Sequence, residues 1–576
     1  MKNVFVLTMC FILPIMANPL LNTHPYEPYV RSGWSFRAFE GESVDHIFLF
    51  AYDSQIGEFK MMPFQIDERI YALDDLKEGS TYRRTYFKPD DGLMDNDDEV
   101  VWMVRDMGDK APEAAWIDNA ESRHYQRVEL KLYEKDREDQ AAYAYAFCSS
   151  TIPDTVPRPY DLSYDQDVDA VSSHIYKVGF NESSGILDDI MIKAPYGNGI
   201  DVLDTQKIRV AGALLLGPNL QFQPGRGGQP DLNERDFLYI YPFDGENAYL
   251  KITEQPVVRL IREVRLTIIL GGFLTLDDLA TPITTKFYPY SGQLEGGLVL
   301  NQEVLDNAFP TSGGVTMEFD QVRHSFDFNE NAIGMKFMNS RNSGVLIDGN
   351  PDDVDHTITN EDTIRVWTLS SGDQGTVFTY LSLNDTSSLK ESYLYYYDDK
   401  SGGNDDNSTV TGGDTGDGKS YGDHGFKVVN GQSFELNFNA YFLPSNQDQS
   451  LGEQLAKNLK QSLEFSNKRS DFTAAVEQAE EQRPESWRLL PVYPNPFNRS
   501  AVIRYELNRR KTIRVDIIDI QGRLVTRLVN REQSAGHYRV MWSGRDAAGN
   551  TVGSGIYWVV LKAGDDILQQ KLTLIK

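Results

Sequence analysis

The chain has 576 residues, of which 40% are hydrophobic and 11% aromatic, a composition typical of a folded protein with several domains. Its net charge is −29, yet residues 489–576 carry 14 basic and 7 acidic residues, so they hold +7 and the remainder holds −36. That remainder repels polyanions, which argues against nucleic acid or an anionic membrane as its partner.

The N-terminus has the three parts of a secretory signal peptide. Lys2 is basic, residues 4–16 are mainly apolar, and Ala17 is a small residue at a plausible cleavage point. We therefore predict a signal peptide over residues 1–17; the alternative is a buried N-terminal strand. Its removal would leave Cys148 as the one cysteine, so no internal disulfide is expected. No later segment offers the ~18 apolar residues of a membrane helix.

Residues 18–165 are predicted to form an N-terminal β-sandwich domain. Alternating apolar and polar residues, as in 128–132, mark strands with one wet face, and Gly, Asp and Pro separate them. The candidate strands are 35–39, 46–52, 59–70, 99–105, 125–133 and 142–149.

An acidic turn at residues 90–99 is a candidate calcium site. Asp95, Asp97 and Glu99 place oxygen donors at alternate positions, and calcium takes six to eight such ligands. The glycine required in an EF-hand loop is absent, and the alternative is a solvated acidic turn. A second acidic cluster at 414–423 is less specific. Calcium is the one cofactor that the sequence suggests.

Residues 63–68 (PFQIDE), the acidic turn and residues 99–108 (EVVWMVRDMG) faintly resemble the N-terminal sandwich of secreted, uncharacterised carbohydrate-associated proteins. The likeness spans about 60 residues. It implies glycan contact and no named activity.

Residues 166–465 are predicted to form a large antiparallel β domain, because short strands follow one another without βαβ alternation. Within it, residues 398–425 are a low-complexity acidic stretch, expected to form a surface loop. Leucines spaced four apart predict a helix over 450–465, and the polar segment 466–488 is expected to be a linker. The predicted fold class is therefore all-β, with antiparallel sandwiches in tandem and few helices.

Two groups of residues in this domain are candidates for a site. Arg323 and His324 are weak catalytic candidates, as charge neutraliser and base of a polysaccharide lyase; the alternative is a strand histidine satisfied by its neighbours. Tyr395, Tyr396 and Tyr397 are candidate ligand-binding rings, since strand neighbours alternate faces and some must point outward. The alternative for the tyrosines is core packing.

The last segment, 489–576, is predicted to be a small antiparallel sandwich with strands at 501–507, 512–520, 524–530, 538–543, 555–563 and 568–575. It opens with LLPVYPNPFNRS, and its other marked residues follow in fixed order. The signature residues are Pro494, Asn495, Pro496, Phe497, Gly522, Trp542, Gly544, Asp546, Gly555 and Tyr557.

In order and spacing these residues resemble the type A C-terminal sorting domain of type IX secretion cargo, a module related to the Ig-like domain of flagellar hook-capping proteins. The resemblance implies that the type IX machinery is a partner. It also implies export through the periplasm and outer membrane to the cell surface or medium.

The sequence leaves three functions open for the body: glycan or other extracellular binding, polysaccharide degradation as a lyase or glycoside hydrolase, or a structural or adhesive role. Paired carboxylates for hydrolysis cannot be chosen among 85 acidic residues.

Overall fold

The structure is a computed structural model. It describes residues 18–73, 82–85, 91–153, 155–181, 185–211, 214–217, 220–222, 238–240, 251–264, 266–270, 274–276, 283–295, 298–300, 316–358, 364–384, 391–401, 419–431, 434–472, 487–498, 500–509, 511–533, 536–547, 550–564 and 566–575. The predicted signal peptide lies outside these residues. Among them, no helix is both long and apolar enough to cross a membrane.

Strands dominate the described chain, and two α-helices accompany them, α1 (Pro19–Thr23) and α2 (Gln449–Lys460). Short 3-10 turns occur at Gly33–Phe39, Val44–His46, Val104–Asp106, Glu121–His124, Glu138–Gln140 and Glu330–Ala332. The first strands are β1 Pro28–Ser32, β2 Ile47–Asp53, β3 Glu58–Met61, β4 Phe64–Asp67, β5 Ile70–Leu73, β6 Tyr82–Thr85, β7 Glu99–Met103, β8 Arg127–Tyr133 and β9 Ala142–Cys148.

The middle strands are β10 Ser163–Asp165, β11 Ala170–Ser172, β12 Tyr176–Phe180, β13 Leu187–Ile192, β14 Leu203–Ala211, β15 Leu214–Gly217, β16 Leu220–Phe222, β17 Leu238–Ile240, β18 Lys251–Ile252, β19 Leu260–Val264, β20 Leu266–Leu270, β21 Leu274–Leu276, β22 Ile283–Tyr288, β23 Ser291–Glu295, β24 Leu298–Leu300, β25 Thr316–Phe328, β26 Lys336–Met338, β27 Ser343–Leu346, β28 Ile364–Gly372, β29 Gly375–Asn384, β30 Glu391–Asp399, β31 Ser420–Gly431 and β32 Phe434–Leu443. The last are β33 Glu464–Ser470, β34 Arg488–Leu489, β35 Ala501–Leu507, β36 Lys511–Asp519, β37 Leu524–Gln533, β38 Gly536–Trp542, β39 Gly555–Ala563 and β40 Asp566–Leu574.

The chain divides into two compact units. The first comprises residues 1–110, 129–146 and 153–468, and the second comprises 111–128, 147–152 and 469–576. The boundary predicted at 165/166 therefore lies inside the first unit. Residues on both sides of the predicted boundary share one core, because Tyr26, Val101 and Met103 belong to the same buried cluster as Tyr176 and Phe442.

In the first unit, the described strands build one large layered sandwich. A ten-stranded antiparallel sheet runs β18-β19-β22-β23-β32-β29-β28-β26-β27, with β24 also on β32. A six-stranded sheet, β16-β15-β25-β31-β30 with β14 on β25, packs against it through Phe326 and Phe438, whose ring centroids lie 5.9 Å apart. A four-stranded sheet, β10-β11-β12-β13, packs through Tyr176 and Phe442 at 4.5 Å.

Smaller described sheets lie wholly or mostly in the N-terminal part of this unit. They are β1-β7-β4, β3-β2-β9-β8-β33 and the pair β5-β6, and Phe48 of β2 meets Phe64 of β4 edge to face. The strands β17-β20-β21 form a further three-stranded sheet. The predicted antiparallel, all-β fold is confirmed.

Helix α2 ends earlier than predicted. It stops at Lys460, Leu463 lies beyond it, and β33 begins at Glu464, inside the segment expected to continue as helix and then as linker. Asp448 caps its N-terminus by accepting from Ser450 N. The helix packs on Trp367 of β28, and a Cβ at Gly452 would lie 2.4 Å from that ring, so only glycine permits the close approach.

The predicted acidic loop is also shorter than 398–425. Strand β30 continues to Asp399 and β31 already begins at Ser420, with Tyr421, Asp423 and His424 buried. Residues 402–418 lie outside the described residues. Residues 420–431 form a strand although glycines interrupt its apolar pattern. Its partners on β25 lie about a hundred residues earlier in the chain, so no local pattern indicates the pairing.

The second unit ends in a small sandwich of two antiparallel sheets, β34-β35-β38 and β37-β36-β39-β40 among the described strands. All six predicted strands are present, with ends shifted by at most three residues. The side chains at the inward positions of these alternating strands lie in or against one core. Those buried are Ile503, Tyr505, Val515, Ile517, Trp542, Tyr557 and Val559, with Val540 packed against them.

Candidate functional site

Four distant segments of the first unit meet in a cluster of polar and aromatic side chains. Arg105 and Asp106 follow β7, Tyr160 precedes β10, His174 lies between β11 and β12, and Tyr290 forms the turn between β22 and β23. We call these five residues the Arg105 cluster.

Hydrogen bonds and ring contacts hold this cluster together. The Tyr160 hydroxyl donates to Asp106 Oδ2 at 2.6 Å, and Arg105 Nη1 donates to the Tyr290 hydroxyl. The His174 ring stands 5.4 Å from Tyr160 and 5.2 Å from Tyr290, centroid to centroid. These contacts fix the orientation of each polar group.

The cluster has a buried floor and a partly open side. Tyr160 and Tyr290 are buried, whereas Arg105, Asp106 and His174 are half-buried. Burial raises the pKa of Asp106 to about 6, although Tyr160 and Arg105 oppose that shift. Burial lowers the pKa of His174 to about 4, so this imidazole is neutral at pH 7.

The loop that carries His174 is anchored by its neighbours. The Ser173 hydroxyl donates to Pro289 O at 3.0 Å and accepts from the backbone N–H groups of Ile175 and Tyr176. This ties the His174 turn directly to the turn that holds Tyr290. Among the described residues, His174 Nδ1 has no hydrogen-bond partner.

Such a cluster offers donors and acceptors of several kinds on a rigid base. Arg105 donates through a planar fork and Asp106 accepts, while the buried His174 Nδ1 has no partner among the described residues. Tyr196 adds a half-buried ring 5.8 Å from His174. This chemistry suits a polyhydroxylated ligand, and Arg105 suits a carboxylate.

The predicted pair Arg323 and His324 does not form one site, because neighbours on a strand point to opposite faces. His324 lies in the core between the two large sheets, where its Nε2 lies 2.5 Å from Gln206 Nε2. It borders a cavity of about 90 Å³ lined mainly by apolar side chains such as Phe180, Phe287 and Phe438. Burial lowers the pKa of His324 to about 4.

Arg323 lies on the other face of the same sheet. It is buried, with its guanidinium 4.3 Å from the Tyr395 ring centroid. Four residues further along β25 and on the same face, Asp327 forms a fully buried ion pair with Lys207 of β14. Gly425 of β31 pairs with Ser325 of β25. A Cβ at Gly425 would lie 2.0 Å from His324 O, so this position requires glycine.

The three candidate tyrosines lie on two opposite faces of β30. Tyr396 is buried against Phe337 at 4.6 Å, so its interpretation as a ligand-facing ring was wrong. Tyr395 and Tyr397 share the Arg323 face and are half-buried, and Tyr397 donates to Asp399 Oδ2. A ligand role for Tyr395 and Tyr397 stays a prediction.

The three candidate calcium ligands do not converge. Glu99 accepts from Arg69 and Arg259, with Lys286 at 4.0 Å. Burial alone would raise the pKa of Glu99, but Arg259, Lys286 and Arg69 lower it to about 2. Asp95 accepts from Asp97 N, as in an ordinary Asx turn. Among the described residues, no group of three or more His, Cys, Asp or Glu side chains is arranged to hold a metal ion.

The residues predicted to be a sorting-domain signature form turns and part of the core of the terminal sandwich. Phe497 is buried 5.5 Å from Trp542, and Trp542 stands edge to face with Tyr557 at 5.0 Å. Trp542 Nε1 donates to Arg545 O, and the Tyr557 hydroxyl donates to Gly553 O.

The remaining signature residues make turns and close the sandwich. Asn495 bonds to the backbone of Lys571 and Thr573, which ties Pro494 and Pro496 to β40. Asp546 accepts from Asn550 N. Gly522 and Gly544 have φ of +78° and +68°, a region that favours glycine, and Gly555 begins β39.

Comparison with protein families gives a match in the C-terminal part of the chain. The family described as the FlgD Ig-like domain matches residues 500–566. No curated protein matches the chain.

Solved structures give weak likenesses only. A polysaccharide lyase matches at 10% identity over 70% of this chain and 46% of that chain, with a TM-score of 0.19. Dimeric latent PorU from Porphyromonas gingivalis matches at 12% over 64% and 34%, TM-score 0.14. PorZ, a surface component of the type-IX secretion system of the same organism, matches at 13% over 72% and 51%, TM-score 0.12. The chain spans about half or less of each, and TM-scores this low support no argument.

Sequence reasoning missed the Arg105 cluster. Arg105 and Asp106 stand in the 99–108 segment that carries the faint carbohydrate-associated resemblance, which was the one signal pointing here. Tyr160, His174 and Tyr290 stand in unremarkable turns, and only the fold brings them to Arg105.

Proposed function

We propose that the protein is exported by a type IX secretion system and that residues 489–576 are its sorting domain. The observation that supports this is the terminal Ig-like sandwich, in which the signature residues Phe497, Trp542 and Tyr557 form the core contacts. The protein would then reach the cell surface or the medium.

Deleting residues 489–576 tests export. In a host with an intact type IX system, we expect the shortened chain to accumulate in the periplasm while the full chain leaves the cell. A parallel strain lacking the translocon should retain both. Normal secretion of the shortened chain would contradict the proposal.

We further propose that the body binds glycan at the Arg105 cluster. The supporting observation is the convergence of half-buried Arg105, Asp106 and His174 over buried tyrosines. Side chains fixed in this way bind hydroxyl groups without losing further rotamer entropy, which favours recognition of a sugar.

A glycan array probed with the purified full chain tests this second proposal. His174→Ala should weaken binding to any glycan that the wild type captures, whereas Trp34→Ala, at an exposed ring outside the cluster, should leave it unchanged. If Trp34→Ala alone lost binding, the site would lie elsewhere. If no array member bound, a structural or adhesive role would remain.

A lyase is the second candidate, because His174 is neutral at pH 7 and lies beside Arg105. In that reaction Arg105 would pair with a uronate carboxylate and His174 would accept the C5 proton. The C4–O bond would break, a C4=C5 double bond would form, and a tyrosine hydroxyl would protonate the leaving oxygen. Incubation with uronate polysaccharides, followed by ultraviolet absorbance of the conjugated double bond, separates turnover from binding alone.

A further inference from the structure

The outer face of the terminal four-stranded sheet carries an apolar stripe. Strand pairing sets Leu524 of β37, Ile518 of β36 and Trp558 of β39 in one row, and Ile556 lies two residues before Trp558. Leu524 is 52% exposed and Ile556 40%, while Ile518 and Trp558 are half-buried.

These apolar side chains do not stabilise the sandwich core. Their strand neighbours Ile517, Tyr557 and Val559 point the other way and are buried. The stripe therefore lies on the surface of the domain and outside its core, and a contiguous exposed apolar patch marks a candidate interaction site.

Basic side chains border the stripe. Lys571 pairs with Trp558 across β39 and β40, and Lys562 lies two rows along the same face. Between them, the carboxylate of Asp516 is neutralised by Arg514 and Arg527. The border is thus cationic, in keeping with the +7 of residues 489–576.

The other sheet of the sandwich differs. On its outer face Arg539 stacks over Tyr125, 4.1 Å from the ring centroid, and Tyr125 belongs to the 111–128 segment of the same compact unit. That face is thus partly covered within the unit, whereas the four-stranded face presents its stripe to solvent.

We infer that the Leu524–Ile518–Trp558 stripe is a docking surface for a component of the secretion machinery whose own surface is apolar with an acidic rim. The inference rests on the proposed export function. Charge complementarity selects the partner, because a cationic border attracts an acidic rim. Two copies of this surface would instead place their cationic borders against each other, which is unfavourable.

Two double variants of the full chain test the inference. Leu524→Ala with Trp558→Ala removes the apolar stripe, and Lys562→Glu with Lys571→Glu reverses the border. The matched control is Val502→Ala with Met541→Ala, a paired couple on the outer face of the other sheet. We expect both test variants to reduce export about tenfold or more, as for loss of a hot spot, and the control to export normally.

The readout is the ratio of secreted to periplasmic protein, with the Tm of each purified variant measured in parallel. Should the alanine pair lower the Tm, the lysine pair still decides, since it leaves all apolar contacts intact. If deleting 489–576 blocks export but both test variants leave normally, the docking surface is wrong and the sorting proposal stands. If the deletion also leaves normally, the sorting proposal itself fails.

A second copy of the chain is the competing occupant. Sedimentation of the purified chain measures this directly. Self-association that the Leu524/Trp558 variant abolishes would overturn the inference of an external partner, and a monomeric wild type supports it.

Discussion

At the scale of single residues, Trp542 gives the clearest energetic prediction. It is buried between Phe497 and Tyr557, and its Nε1 donates to Arg545 O. Trp542→Ala should cost roughly 3–5 kcal/mol of unfolding free energy, since a large side chain and a hydrogen bond are both lost. Chemical denaturation measures this, with Trp558→Ala on the outer face as control. Equal losses in the two variants would contradict the assignment of Trp542 to the core.

Glu99 is a second residue whose role follows from its contacts. It lies between Arg69 and the buried Arg259, which also pairs with Asp67. Glu99→Gln removes one anion from this group and leaves an excess of buried positive charge, which should cost about 3–5 kcal/mol. The control is Asp97→Asn in the adjacent acidic turn, outside the Arg69–Glu99–Arg259 group, where a smaller loss is expected.

The stabilisation of the wild type by Glu99 depends on pH, and the direction follows from the pKa of Glu99. The pKa of Glu99 is about 2 in the folded state against 4.5 ordinarily, so its stabilisation is complete above pH 4.5 and is lost as the pH falls towards 2. The free energy of unfolding of the wild type should therefore depend more steeply on pH between 4.5 and 2 than that of Glu99→Gln. Parallel curves would contradict the ion-pair account.

Calcium binding at the acidic turn stays a prediction, with Asp95 and Asp97 as the carboxylates left for it. If the site forms, millimolar calcium should raise the Tm by binding the native state alone. A thermal scan with calcium or chelator, in wild type and Asp97→Ala, measures this. Identical transitions in all four samples would leave the solvated-turn interpretation.

At the scale of elements, the sequence was most informative where alternation is strict. Strands of the terminal sandwich were predicted nearly to the residue, because the inward positions of β35, β36 and β39 repeat every second residue around glycine turns. The helix was found from its leucine spacing, but its end was not, since residues 461–463 continue the leucine spacing while the backbone turns into β33.

The same alternation explains why the two weak catalytic candidates do not share one face. Arg323 and His324 are adjacent in sequence and therefore on opposite faces of β25. The residues that do converge, Arg105, Tyr160, His174 and Tyr290, lie up to 185 positions apart. Their proximity depends on sheet packing, which no local pattern encodes.

Two buried histidines on β25 and β31 make the six-stranded sheet sensitive to acid. Burial lowers the pKa of His324 and of His424 to about 4, against 6.5 ordinarily. Because the folded state disfavours the proton, the stability that each contributes is complete above pH 6.5 and is lost as the pH falls to about 4. The loss is on the order of 3 kcal/mol per residue at most.

A paired measurement isolates this effect. The buried carboxyl of Glu27, with its pKa raised to about 7, acts in the opposite direction, so the wild-type curve alone is ambiguous. His324→Asn should show a shallower fall in unfolding free energy between pH 6.5 and 4 than the wild type. A fall of unchanged slope would exclude His324 as a contributor.

At the scale of the whole molecule, the two compact units differ in size, core and charge. Among the described residues, the buried cluster of the large layered sandwich and that of the terminal sandwich have no member in common. The first unit contains most of the acidic residues, whereas 489–576 carry +7. Separate cores are the structural basis of separate folding units.

We therefore expect the full chain to unfold in two calorimetric transitions rather than one. Trp542→Ala should lower only the transition of the terminal sandwich, because its contacts lie wholly within that core. Phe326→Ala, which removes a buried ring of β25, should lower only the larger transition. Each variant thus serves as the control for the other. A single transition shifted by both substitutions would mean that the units unfold as one, and the sorting domain could then not be treated as an independent module for export.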